Sequence, residues 1–96
     1  MRNEILEPGT IVQHFKRELI PKKDRKFNDK YLYRVIRVAL DTTTNKKIVV
    51  YDALYENEEA DFILFTRPLE EFMSEVDKTK YPNIKSKYRF TKYIGD

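Results

Sequence analysis

Two runs rich in β-branched and aromatic residues, 31–40 (YLYRVIRVAL) and 47–55 (KIVVYDALY), flank a short polar turn signal at 41–46 (DTTTNK). Runs of that length joined that closely predict a long antiparallel hairpin, and the rest of a 96-residue chain has to pack against it. A chain this short buries only roughly 60–65% of its unfolded surface, so one domain spanning residues 1–96 with one core is expected. In the second run Val49, Tyr51, Ala53 and Tyr55 share one face, and Val50, Asp52 and Leu54 share the other. Asp52 marks the second face as the wetter one. In the first run Arg34 and Arg37 lie three apart and point to opposite faces of a regular strand. Either the sheet is solvated at one arginine near its edge, or a bulge intervenes.

Further elements are expected on both sides of the hairpin. Pro8-Gly9 is a turn signal, followed by a strand-like run at 10–15 (TIVQHF). Residues 16–30 are polar and broken by Pro21, which predicts a long basic loop with a short extended piece at Glu18-Leu19-Ile20. After the hairpin, the acidic stretch 56–61 is a turn signal, and 62–67 (FILFTR) reads as a third long strand ended by Pro68. Residues 68–73 (PLEEFM) suit a helical turn, since proline is favourable in a helix's first turn. Residues 74–87 form a charged connection, and 88–94 (YRFTKYI) alternate as a closing strand. Sequential short antiparallel strands of this kind curl into a small barrel or roll, so the fold class is mainly β, with about five antiparallel strands and one short helical turn.

The blocks in this order resemble the bacterial domain-of-unknown-function 1653 family. The resemblance rests on Pro8-Gly9 with His14-Phe15-Lys16, on Tyr33-Arg34-Val35, on Val49-Val50-Tyr51 with Ala53-Leu54-Tyr55, and on Arg67-Pro68 with Phe72. Residues 72–77 (FMSEVD), Lys80-Tyr81-Pro82 and Tyr88-Arg89-Phe90 resemble the family's longer variants. The resemblance implies an SH3-like barrel or roll, and it brings no activity or cofactor with it. The chain departs from the family pattern where Arg17 replaces a glycine and residues 17–30 form an insertion. The acidic stretch 56–61 is also longer than the pattern.

Several functions lack the residues they need. Cysteine is absent, which removes disulfides, thiolate metal sites and thiol nucleophiles, and suits a reducing compartment. His14 is the one histidine, leaving no second imidazole for a metal site or proton relay. Ser74 and Ser86 sit in no nucleophile motif, and Glu70, Glu71 and Glu75 read as a solvated helix face rather than metal ligands. No enzyme, cofactor or metal is therefore expected. No apolar run approaches the about 20 residues that cross a bilayer, and residues 1–9 lack a signal peptide's apolar stretch. A cytoplasmic location with no membrane partner follows as the expectation.

Two surfaces remain as candidates. His14, Tyr33, Tyr51, Tyr55 and Arg67 combine a planar cationic fork, stacking faces and hydroxyls, a set suited to a small anionic ligand such as a nucleotide. The competing reading is a buried hydrogen-bond cluster that only holds the fold, with tyrosines filling the core. The alternative surface is the basic C-terminal third, where Lys80, Lys85, Lys87, Arg89 and Lys92 are interleaved with aromatics, as in grips on nucleic acid. Charge is also uneven: residues 1–51 carry twelve basic and six acidic groups, 52–77 one and nine, and 78–96 six and one. Such asymmetry fits a protein–protein adaptor, or a homo-oligomer paired through opposite charges.

Overall fold

A computed structural model of the chain describes residues 3–55 and 63–95. Five antiparallel strands form one sheet: β1 (Ile11–His14), β2 (Leu32–Asp41), β3 (Lys46–Ala53), β4 (Phe65–Pro68) and β5 (Phe90–Lys92), in the order β4-β3-β2-β1-β5. The expected hairpin is its spine, with β2 and β3 paired from Tyr33↔Ala53 to Asp41↔Lys46. Its turn closes by local chemistry. The Asp41 carboxylate accepts the Thr43 N–H at 2.9 Å, and Asn45 takes the left-handed conformation (φ 59°) that asparagine tolerates better than most residues.

A register shift between Val35 and Arg37 answers the arginine question. Ile36 is left out of the ladder as a bulge, so Arg34 opposes Asp52 and Arg37 opposes Val50. Both arginines then lie on the outer, wet face. The inner face keeps Tyr33 and Val35 from β2, and Val49 and Tyr51 from β3, all buried. Arg67 and Phe65 join that face by register, opposite Val49 and Tyr51.

The sheet curls until its two edge strands approach one another. β5 pairs with β1, placing Phe90 beside His14, and its ring also meets Tyr51 of β3 at 5.9 Å. The short helix α2 (Leu69–Phe72) follows β4 and stacks Phe72 on Phe90, with centroids 4.1 Å apart and planes 8° from parallel. Both rings are fully buried, so truncating either to alanine removes about 3–5 kcal/mol. Among the described residues no ladder joins β4 to β5. The roll is open at that seam, bridged by side chains.

Several local expectations need correction. Ile63 and Leu64 lie outside β4, because pairing with β3 begins only at Tyr51↔Phe65. Phe62 and the acidic stretch 56–61 fall outside the described residues. Residues 16–30 are not a plain loop. A 3-10 turn (Phe15–Leu19) includes Glu18 and Leu19, where an extended piece was expected, and the helix α1 (Lys22–Arg25) follows Pro21. The fold thus has two short α-helices, not one helical turn. The cause is Arg17, whose side chain is 3% exposed and donates to the carbonyls of Arg25, Asn28 and Lys30 at 3.1, 2.9 and 2.8 Å. One guanidinium gathers three carbonyls that would otherwise want water.

The charged segment 74–87 also acquires structure. Glu75 bridges Tyr88, the Val76 N–H donates to the Lys87 carbonyl, and Val76, Ile84 and Phe15 form a second small apolar cluster covered by Tyr81. Among the described residues no helix is long and apolar enough to cross a membrane.

Candidate functional site

Strand register brings His14, Tyr33, Tyr51 and Arg67 to the inner face around one ring, Phe90, while Tyr55 lies two residues beyond the end of β3 rather than in the strand expected to reach it. His14 lies edge-on to it at 5.1 Å, Tyr33 at 5.9 Å and Tyr51 at 5.9 Å, while the Arg67 guanidinium sits 5.4 Å from its centroid. Tyr55 completes the group through its hydroxyl, 3.2 Å from that of Tyr33. All five residues singled out in the sequence are brought together. His14, Tyr33 and Tyr51 form a buried floor, and Tyr55 and Arg67 form a half-buried rim.

The polarity of this group is one-sided. Arg67 Nε donates to the Tyr51 oxygen at 3.3 Å, leaving the Tyr51 proton for another acceptor. Of the Tyr33 and Tyr55 hydroxyls, one donates to the other and the recipient keeps its own proton. Burial chiefly, with the Tyr55 hydroxyl contributing, pushes the Tyr33 phenol well above its ordinary value, so it stays a neutral donor. His14 Nδ1 accepts the Lys16 N–H at 3.1 Å, which places the imidazole proton on Nε2.

The His14 pKa is lowered from 6.5 to about 3, chiefly by burial, with the positive charges of Arg67, Arg89 and Lys16 acting in the same direction. The imidazole therefore reports a positive local field. The nearest carboxylate to Arg67 recorded among the described residues is Glu71, one helical turn on, at a loose 3.7 Å. Among the described residues donors outnumber acceptors here, around a cation.

Of the basic residues of the C-terminal third, two line a groove and the others lie outside that lining. Lys80 and Lys85 line an open groove of about 850 Å³ together with Lys22 and Arg25. Lys87 lies 3.7 Å from Glu75 and over the Tyr88 ring, Arg89 donates to the Ser74 hydroxyl at 3.1 Å, and Lys92 is on the edge strand β5. Lys78 turns inward onto the carbonyls of Ile84 and Ser86. Sequence reasoning missed Phe90 as the hub and Arg17 as a structural clamp. The signals for Phe90 were its place in the closing strand and in the Tyr88-Arg89-Phe90 block, and Arg17 left none beyond its departure from the family pattern.

This architecture defines a mainly β domain, a single curled sheet with a cationic, donor-rich seam between its edge strands. A family model described as a protein of unknown function (DUF1653) matches residues 10–92, and the chain belongs to that family. No curated protein matches the chain, and no solved structure does.

Proposed function

We propose that the protein is a non-catalytic binding module that takes a small anionic ligand, a nucleotide being the best-fitting class, at the seam formed by His14, Tyr33, Tyr51, Tyr55 and Arg67. The observation that carries the reading is the donor surplus among the described residues: hydroxyl protons, an imidazole N–H and a guanidinium converge, with one loosely held carboxylate nearby. A phosphate or carboxylate supplies the acceptors this set lacks, and a half-buried arginine binds such groups with two parallel hydrogen bonds. The Tyr55 ring at the rim gives a base something to stack on. The floor residues hold the shape, and Arg67 holds the ligand. A reducing, cytoplasmic setting suits the cysteine-free composition.

Native mass spectrometry of protein purified from its host is expected to show a retained small anion. Titration calorimetry against a nucleotide panel is expected to give binding that Arg67→Ala weakens by about 2–3 kcal/mol, the scale of a charge-assisted contact. Loss of fold stability in Arg67→Ala, with no anion bound by the parent protein, would return the cluster to a purely structural role.

A further inference from the structure

A second site lies away from the seam, where the segment after β1 meets the segment before β5. The groove of about 850 Å³ has Glu18, Lys22 and Arg25 on one wall and Lys80, Tyr81 and Lys85 on the other. Its walls are tied by the Glu18 carboxylate, which accepts the main-chain N–H groups of Lys85 at 2.8 Å and Ser86 at 2.9 Å. That single acidic group of the lining is thereby turned onto backbone donors rather than onto the lysines. No salt bridge among the described residues engages Lys22, Lys80 or Lys85. Arg25 spends its Nε on the Ile20 carbonyl at 3.0 Å and contributes charge rather than a free fork.

The lining therefore holds four cations against one occupied carboxylate, in a trough open along one side. Tyr81 stands between the cations, with the Lys16 and Lys80 ammonium groups 6.0 and 5.7 Å from its ring centroid. Cations on both walls with an aromatic between them are the elements that track a sugar–phosphate backbone and stack a base. We infer that this groove binds a short stretch of single-stranded nucleic acid, independently of the anion site at the seam. Lys80 and Lys85 contact phosphates from one wall and Lys22 from the other, while Tyr81 stacks a base. The grip seen in the sequence as a C-terminal feature is thus redrawn, with Lys22 and Arg25 replacing Lys87, Arg89 and Lys92.

Fluorescence anisotropy with labelled single-stranded hexanucleotides tests this. Three or four phosphate contacts predict a slope of about −2 to −3 in log affinity against log salt, or roughly a 20- to 50-fold loss between 50 and 200 mM. Lys80→Gln with Lys85→Gln should weaken binding about tenfold and flatten the slope by about 1.4, and Lys22→Gln alone should flatten it by about 0.7. These three side chains are exposed, so the thermal midpoint should not move. Arg67→Ala, and the equal charge change Lys46→Gln with Lys47→Gln on a different cavity, should leave binding within about twofold. Absence of binding at 50 mM salt would overturn the inference, as would binding that the groove variants leave intact. Equal competition by a mononucleotide or an acidic peptide at matched charge would also overturn it, since a strand has to use both walls.

Discussion

Two arginines, Arg17 just after β1 and Arg67 in β4, each lie against an aromatic ring but spend their donors differently. Arg17 lies 5.7 Å from the Tyr93 ring and Arg67 lies 5.4 Å from the Phe90 ring. Arg17 is 3% exposed and its guanidinium meets three backbone carbonyls at hydrogen-bonding distance. The Arg67 side chain is 26% exposed and meets one hydroxyl and one loose carboxylate. A guanidinium carries five donors in a fixed fork. Where backbone acceptors fill the fork, the residue organises a loop; where they do not, donors are left over for the anion proposed at the seam. The difference lies in what the neighbouring backbone supplies, not in the residue type.

The comparison can be broken from either side, and the largest effect belongs to Arg17. Arg17→Ala strands three carbonyls and should cost about 3 kcal/mol in chemical denaturation, with earlier proteolytic cutting in residues 17–30. Arg17→Lys, which cannot span all three acceptors, should fall between the two. If Arg17→Ala costs no more than Arg67→Ala, the division between clamp and ligand-binding residue fails.

The floor beneath Arg67 comes next, through pH. The folded-state pKa of His14 is depressed to about 3 against 6.5 unfolded, so the unfolded chain takes up a proton that the folded one refuses. Stability attributable to His14 is therefore complete above pH 6.5 and is lost as pH falls from 6.5 towards 3. Between pH 8 and 5 the loss should be about 2 kcal/mol, measured as a falling unfolding midpoint. His14→Asn, which keeps an acceptor for the Lys16 N–H, should remove most of that slope. An unchanged slope in His14→Asn would place the pH dependence elsewhere.

Smaller effects follow. Tyr33→Phe and Tyr55→Phe should each cost about 1 kcal/mol, and together no more than either alone, since they share one hydrogen bond. Additive losses would mean the hydroxyls act separately. Arg67→Ala should change stability no more than these do, by about 1 kcal/mol, because what it gives up among the described residues is one hydroxyl contact, a half-exposed ion pair and the contact of its guanidinium with the Phe90 ring.

Much of the fold was legible because period and turn chemistry agree. Alternation placed Val49, Tyr51 and Ala53 on one face, and the three-residue spacing of Arg34 and Arg37 already demanded either an edge or a bulge. The cluster was legible for a similar reason, since Tyr33 and Tyr51 sit on the hairpin and His14 and Arg67 on strands paired directly to it. The segment 16–30 was not, because its helical turns depend on Arg17 reaching carbonyls up to thirteen residues away, a tertiary interaction no local pattern encodes. The groove that joins Lys22 to Lys80 was not legible for the same reason. Glu18 joins the backbone at Lys85 and Ser86 across nearly seventy residues, and Phe15 packs on Tyr81 beside it.

The central claim is that Arg67 and its neighbours receive an anion, and His14 is the built-in reporter. An NMR titration of the His14 imidazole, with and without saturating nucleotide, follows its pKa directly. A bound anion cancels part of the field from Arg67, Arg89 and Lys16, so the pKa should rise from about 3, with shift changes centred on His14, Tyr55 and Arg67. Arg67→Ala should raise it without ligand and show no further rise when nucleotide is added. An unmoved His14 in the parent protein under nucleotide, or shifts confined to the groove of Lys22 and Lys80, would contradict the account.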